Sequence, residues 1–336
     1  MATRRLRLGL TPGCPAGIGP EVLARALVEA ELPRGAYLRF FSSAAVLALG
    51  AKRAGVPCAL DEPMVLLGRG RRRVPVEVAA PDVDDAGSTT RAGKPDDAAL
   101  RCQRDALVRG CVAAAAGNLD ALVTGPVRKH ALVVDGVPYP GQTEVFHALV
   151  APEFPPPLMV FVGGPFVLGL ATVHLSLADV SAAITPALVE RALAQLHAAA
   201  RKVTEKRAPR LVVLGVNPHA GEGGRFGTEE QDVVAPAIER ARARGLKVFG
   251  PVPADGFYAD HARGRPPPDA VLAMHHDQGL APYKLLCAGE GVNVTWGLPV
   301  LRTSPDHGTA DALAGKGKAS WLSMRQALET AARLTS

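Results

Sequence analysis

The sequence predicts an α/β protein, and three observations carry that expectation. The chain has 336 residues, 48% hydrophobic and 21% charged, the balance of a soluble globular protein with room for one large or two medium cores. Short apolar runs alternate with amphipathic or alanine-rich stretches from end to end. No fixed-period repeat or low-complexity linker interrupts that alternation.

Strands are expected at 5–10 (RLRLGL), 37–41, 120–125, 158–162, 166–172, 210–216, 247–250, 270–274 and 291–296. Helices are expected at 96–116, 186–202, 229–244 and 320–334. Thr228 to Gln231 (TEEQ) fits a capping box at the head of the third of these. The arginine-rich run at 69–73 reads as an exposed hairpin loop between PMVLL and VPVEV. The polar or proline-rich stretches 78–95 and 258–268 read as loops, of a length often used for lids or partner contacts.

Several function classes are disfavoured by composition. The net charge is +6, but basic residues are scattered and only 4% of the chain is aromatic, so no nucleic-acid surface is expected. No apolar run reaches the roughly 18–20 residues of a membrane span, and MATRRLRLGL passes into a strand without a signal-peptide core, so a cytoplasmic protein is expected. Five cysteines without CxxC spacing suggest neither a disulfide framework nor a thiolate zinc cluster.

Three of the nine histidines close expected strands: His174 in LATVHLSL, His219 in VNPHAGE and His276 in LAMHHDQG. Open α/β sheets bind ligands at strand carboxyl ends, and neutral imidazoles with open positions suit a divalent ion such as zinc. Spacing alone leaves open that each histidine is separately solvated or hydrogen-bonded. The tandem pair reads as lying on a strand, which turns His275 and His276 to opposite faces. Asp277 reads either as a helix cap or as the partner that orients a ligand histidine. After the strand ending at 216, the sequence NPHAGEGGRFG suits a metal or phosphate site, or a tight turn.

The turn TPGCPAGIGPE (11–21) is not a dinucleotide fingerprint, because Gly13, Gly17 and Gly19 do not give GxGxxG. Gln142, Thr143 and Glu144 stand at an expected helix start, where backbone N–H groups favour anions. Lys284, Asn293 and Arg302 add groups suited to phosphate or carboxylate.

Taken together, TPGCPAGIGPE, VTGPVRK, GQTEVFHAL, ATVHLSL, GVNPHAGEGGRFGTEE, GPVPADGFY, AMHHDQGLAPYKLL, GVNVTWGLPVLRTSPDHGTA and LAGKGKAS resemble the 4-hydroxythreonine-4-phosphate dehydrogenase family of vitamin B6 synthesis. The resemblance covers nearly the whole chain in order. It implies a two-domain fold similar to isocitrate and isopropylmalate dehydrogenases, with the active-site cleft between domains. The first domain would hold 1–125 and 304–336, the second 126–303. It implies a homodimer in which His174, His219 and His276 bind one divalent ion (zinc, magnesium or cobalt) with ligands from both subunits. Substrate contacts would be Gln142, Thr143, Lys284, Asn293 and Arg302, and NAD or NADP would be held outside any Rossmann fingerprint. Lys284, Asp255 and Asp277 are the catalytic candidates. The expected reaction is oxidation and decarboxylation of 4-phosphohydroxy-L-threonine to 3-amino-2-oxopropyl phosphate. This chain has Cys14 where the family commonly has Asp, Gln142 where it commonly has His, and Arg225 where a His is frequent. These departures keep open a dehydrogenase for another phosphorylated hydroxy acid; a zinc hydrolase is the remoter alternative.

Overall fold

A computed structural model describes residues 5–61, 63–79 and 88–335. Contacts divide the chain into two compact units, Met1–Pro156 with Leu298–Ser336, and Pro157–Gly297. The expected domain limits were 125/126 and 303/304. The helix Gln142–Val150 stays with the first unit because it packs on the helix Asp97–Ala115.

The first unit runs β1 (Arg7–Thr11), α1 (Gly19–Glu29), β2 (Tyr37–Phe40), α2 (Ala44–Arg53), β3 (Cys58–Asp61), β4 (Met64–Leu67), β5 (Val74–Val78), α3 (Asp97–Ala115), β6 (Ala121–Thr124), the small hairpin β7 (Val133–Val134) and β8 (Val137–Pro138), and α4 (Gln142–Val150). The second unit follows with β9 (Leu158–Val162), β10 (Val167–Leu170), α5 (Leu177–Ala183), α6 (Pro186–Thr204), β11 (Arg210–Leu214), α7 (Ala235–Ala243), β12 (Lys247–Val252), α8 (Ala254–Ala262), β13 (Ala270–Ala273), α9 (His276–Cys287) and β14 (Val292–Trp296). The chain then returns to the first unit through β15 (Leu301–Pro305) and α10 (Leu322–Thr335).

In the first unit the strand order is β15-β6-β1-β2-β5-β4-β3, parallel from β15 to β5 and antiparallel beyond. In the second it is β12-β11-β13-β10-β9-β14, with β12, β11, β13 and β10 parallel and β9 antiparallel to both neighbours. Parallel strands covered on both faces read as continuous apolar runs, and β6 and β13 are buried at every residue. Helix starts obey local chemistry. Asp96 accepts from Ala99 N at 2.9 Å to cap α3, and Thr185 accepts from Leu188 N at 3.2 Å to cap α6, with Pro186 at its first position.

The nine expected strands are all present, and the 69–73 run does link antiparallel β4 and β5. Two expectations need correction. The 258–268 stretch is helical as far as Ala262, because α8 packs Phe257 and Tyr258 against the core around Phe166 and Tyr283. The tandem histidines open helix α9 instead of ending a strand. Of the 78–95 loop, 80–87 lie outside the described residues. Among the described residues no helix is long and apolar enough to cross a membrane.

Candidate functional site

The three histidines follow three adjacent strands of the second unit. His174 lies after β10, His276 after β13 and His219 after β11, in a sheet where these strands run parallel in the order β11-β13-β10. The sequence places them one per strand, and the topology makes those strands neighbours. The rings of His174 and His276 are 6.1 Å apart between centroids. Among the described residues no three His, Cys, Asp or Glu side chains gather as a metal cluster within one chain.

Helix α9 separates the tandem histidines by role. His275, in extended conformation (φ −138°), is the N-cap, and its Nδ1 accepts from Gln278 N at 3.4 Å. Burial holds the His275 pKa below its ordinary value, which suits a ring that must stay neutral to accept. His276 is half exposed, with Nδ1 2.7 Å from Asp277 Oδ1. Asp277 therefore faces the histidine, and the helix is capped by its neighbour. Gln278 ties this start to the end of β11: its Nε2 donates to Gly215 O at 2.6 Å, while its Oε1 accepts from Met274 N at 2.7 Å.

The turn after β11 is conformationally unusual. His219, Ala220, Gly221, Glu222 and Gly223 all have positive φ (54°, 51°, 79°, 41° and 68°), five consecutive left-handed residues. Each of the three non-glycine members costs roughly 1–2 kcal/mol, so surrounding contacts must over-determine the turn. His174 is also left-handed at φ 52°. Asn217 N donates to Glu230 Oε1 at 2.7 Å, and Asn217 Nδ2 donates to Glu230 Oε2 at 3.0 Å and Glu229 Oε2 at 2.7 Å. Glycine is required here because a Cβ at Gly221 would come within 2.7 Å of Glu230 Oε2, and one at Gly227 within 2.5 Å of Asn217 Nδ2. The expected helix does begin after Thr228, whose carbonyl accepts from Gln231 N at 2.9 Å and Asp232 N at 2.8 Å. Its Glu230 turns back to the loop.

A cluster of polar side chains forms within the first unit around Arg302. Arg302 on β15 is buried at 2% exposure; its Nη2 donates to Thr124 Oγ1 at 2.8 Å and its Nη1 to Thr143 Oγ1 at 3.4 Å. Burial lowers the Arg302 pKa to about 10, opposed by the nearby Cys111 and Glu144. Gln142, first residue of α4, donates from Nε2 to Gly125 O at 3.1 Å, which leaves its buried Oε1 without a partner among the described residues. Gln142, Thr143 and Arg302 thus meet at the carboxyl end of β6. Cys14 lies in the turn before α1, fully buried, its thiol pKa raised by burial and opposed by Arg128. Arg128, inside the VTGPVRK stretch but not named as a site residue there, pairs with Asp311. Gln103 fixes the Arg128 backbone with bonds of 2.9 and 3.0 Å.

The remaining candidates lie in the second unit. Asn293 is inside β14, level with Phe161, and its buried Oδ1 has no partner among the described residues. Asp255 is exposed in the first turn of α8. Lys284 is exposed on α9, eight residues beyond His276 and so about 12 Å along the axis from it.

Comparison with known proteins gives first the class. A 4-hydroxythreonine-4-phosphate dehydrogenase from Aromatoleum aromaticum is 43% identical over 330 residues, covering 96% of this chain and 95% of the relative. One from Ralstonia nicotianae is 40% identical, covering 98% of each. The 1.25 Å crystal structure of the Klebsiella pneumoniae enzyme of that name matches with a TM-score of 0.77 at 32% identity, over 100% of this chain and 99% of the other. The chain is an α/β oxidoreductase. The profile of the family described as pyridoxal phosphate biosynthetic protein PdxA matches residues 54–331, and the chain belongs to that family.

Proposed function

We propose that the chain oxidises the secondary alcohol of 4-phosphohydroxy-L-threonine with NAD, NADP being the alternative carrier, and that the resulting β-keto acid loses CO₂ to give 3-amino-2-oxopropyl phosphate. The observation that carries this reading is the placement of His174, His219 and His276 at the carboxyl ends of three adjacent parallel strands. Imidazole donors fit a divalent ion of the zinc or cobalt class better than magnesium, which prefers oxygen ligands. Two left-handed ligand positions suit a site whose backbone is shaped for function. When bound, such an ion supplies Lewis acidity at the substrate hydroxyl.

The chain's own groups do the rest. His276 presents Nε2 because Nδ1 faces Asp277, the usual arrangement of a ligand imidazole and its orienting carboxylate. Asp255, exposed in the first turn of α8, would take the hydroxyl proton, and a bound nicotinamide would supply the hydride acceptor. Arg302, Thr143 and Lys284 are the groups assigned to anchor the substrate's phosphate and carboxylate, and Gln142 and Asn293 offer oxygen acceptors to its donors. In the proposed site the imidazoles come from two copies of the chain, His219 and His276 from different ones, which makes the active form a homodimer. Leu177 and Leu285, 76% and 84% exposed in the second unit, suit coverage by the second copy.

The test is NADH formation from a panel of phosphorylated hydroxy acids, with and without a chelator. Chelator-sensitive turnover of 4-phosphohydroxy-L-threonine is expected. Turnover without NAD would point to hydrolysis instead. Gln142 in place of the family's usual His favours one second reading, an amine-free phosphorylated hydroxy acid such as 4-phosphothreonate or 4-phosphoerythronate.

A further inference from the structure

His219 sits in a run of backbone that an isolated chain would not adopt, and one buried carboxylate accounts for its retention. Glu230 is 3% exposed, and both of its oxygens are spent on a single residue, Asn217, two positions before His219. Oε1 takes the Asn217 backbone N–H and Oε2 its side-chain amide, a two-point grip that fixes both the position and the rotation of Asn217. Glu229 adds a third bond to the same amide and is itself held by the Ser181 hydroxyl. The glycines are spaced to admit these carboxylates. A Cβ at Gly215 would lie 3.0 Å from Glu230 Oε1, one at Gly221 2.7 Å from Oε2, and one at Gly227 2.5 Å from Glu229 Oε2. Ala220 N donates to Asn217 O at 3.1 Å, so the left-handed turn carrying His219 begins directly from the gripped residue.

We infer that Glu230 is a positioning residue for His219, acting through Asn217 to hold the imidazole where it can donate to a divalent ion. This rests on the proposed role of His219 as a ligand. Glu230 does not touch substrate or ion; it determines the turn from which His219 projects. Hydrogen-bond polarity is specific. Asn217 donates while Glu229 and Glu230 accept, so exchanging all three chemistries together preserves the grip, while changing Asn217 alone brings carboxylates against one another.

The experiment uses full-length protein dialysed against chelator and titrated with Co²⁺, read by calorimetry and by the visible cobalt spectrum, neither of which requires turnover. Wild type and Glu230→Gln are compared with His219→Ala, Asn217→Asp and the triple variant Asn217→Asp/Glu229→Gln/Glu230→Gln, with folding followed by circular dichroism. Glu230→Gln should weaken Co²⁺ about 10- to 100-fold, the usual range for loss of a residue that orients a ligand. Asn217→Asp should weaken it at least as much, and the triple variant, in which both amides donate to the new carboxylate, should recover most of the loss. If Glu230→Gln does not fold, the triple variant decides alone. Co²⁺ affinity within twofold of wild type in folded Glu230→Gln, or no recovery in the triple variant, overturns the inference. Wild-type Co²⁺ binding by His219→Ala removes the ligand reading itself, and the inference with it.

Discussion

His276 Nδ1 lies 2.7 Å from Asp277 Oδ1, whereas His275, one residue earlier, turns its own Nδ1 back to the helix amide of Gln278 at 3.4 Å. Adjacent, chemically identical side chains are thus committed to different tasks. His276→Ala should abolish chelatable metal and turnover with the fold retained. His275→Ala should cost about 1 kcal/mol of stability through loss of the cap and leave metal content near wild type. Metal analysis and thermal melts on the two variants check both halves.

The His275 cap should also titrate. Burial depresses the pKa of this ring in the folded chain, so on acidification the unfolded chain takes up the proton first. The stability it contributes is present above about pH 6.5 and is lost as falling pH protonates the folded ring. His275→Asn keeps a capping acceptor that does not titrate, so its Tm should fall less than that of wild type between about pH 7 and pH 5. Equal falls would remove His275 as the source.

Arg302 holds two threonine hydroxyls from full burial. Lysine cannot reproduce the fork, so Arg302→Lys should raise KM for the phosphorylated substrate roughly 10- to 100-fold, the worth of a charge-assisted bond of about 1.5–3 kcal/mol. Steady-state kinetics at fixed NAD measures it.

Gln142→His should change KM by no more than about tenfold if the position only exchanges one neutral hydrogen bond for another. A preference of about 100-fold for an amine-free phosphorylated hydroxy acid, near 2.7 kcal/mol in transition-state binding, would instead overturn 4-phosphohydroxy-L-threonine as substrate. The ratio of kcat/KM for the two compounds is the measurement.

Mixing His219→Ala with His276→Ala subunits should restore about one quarter of wild-type activity after full exchange, because half the dimers are mixed and each mixed dimer has one intact site. No recovery after verified exchange would place His219 and His276 of a site in the same chain.

The sequence by itself determined the α/β class and the positions of nine strands, though not of β15. A strand such as β13, buried at all four residues, is written as an uninterrupted apolar run whatever surrounds it. It also marked the three histidines and the Gln142–Thr143 helix start, because strand ends and caps are local signals. Tertiary structure decided what depends on partners distant in sequence. β15 carries Arg302 and Thr303 in its interior, polar residues accommodated in a buried strand because Thr124, Thr143 and the Ala327 carbonyl satisfy them. The division of labour between His275 and His276 required a helix at 276, which the internal Pro282 of α9 obscures in the sequence. The glycine cluster after β11 could be read as a turn, but not as a left-handed one. That conformation is strained locally and persists because Glu229 and Glu230 grip Asn217 from across the turn, contacts that no local pattern encodes.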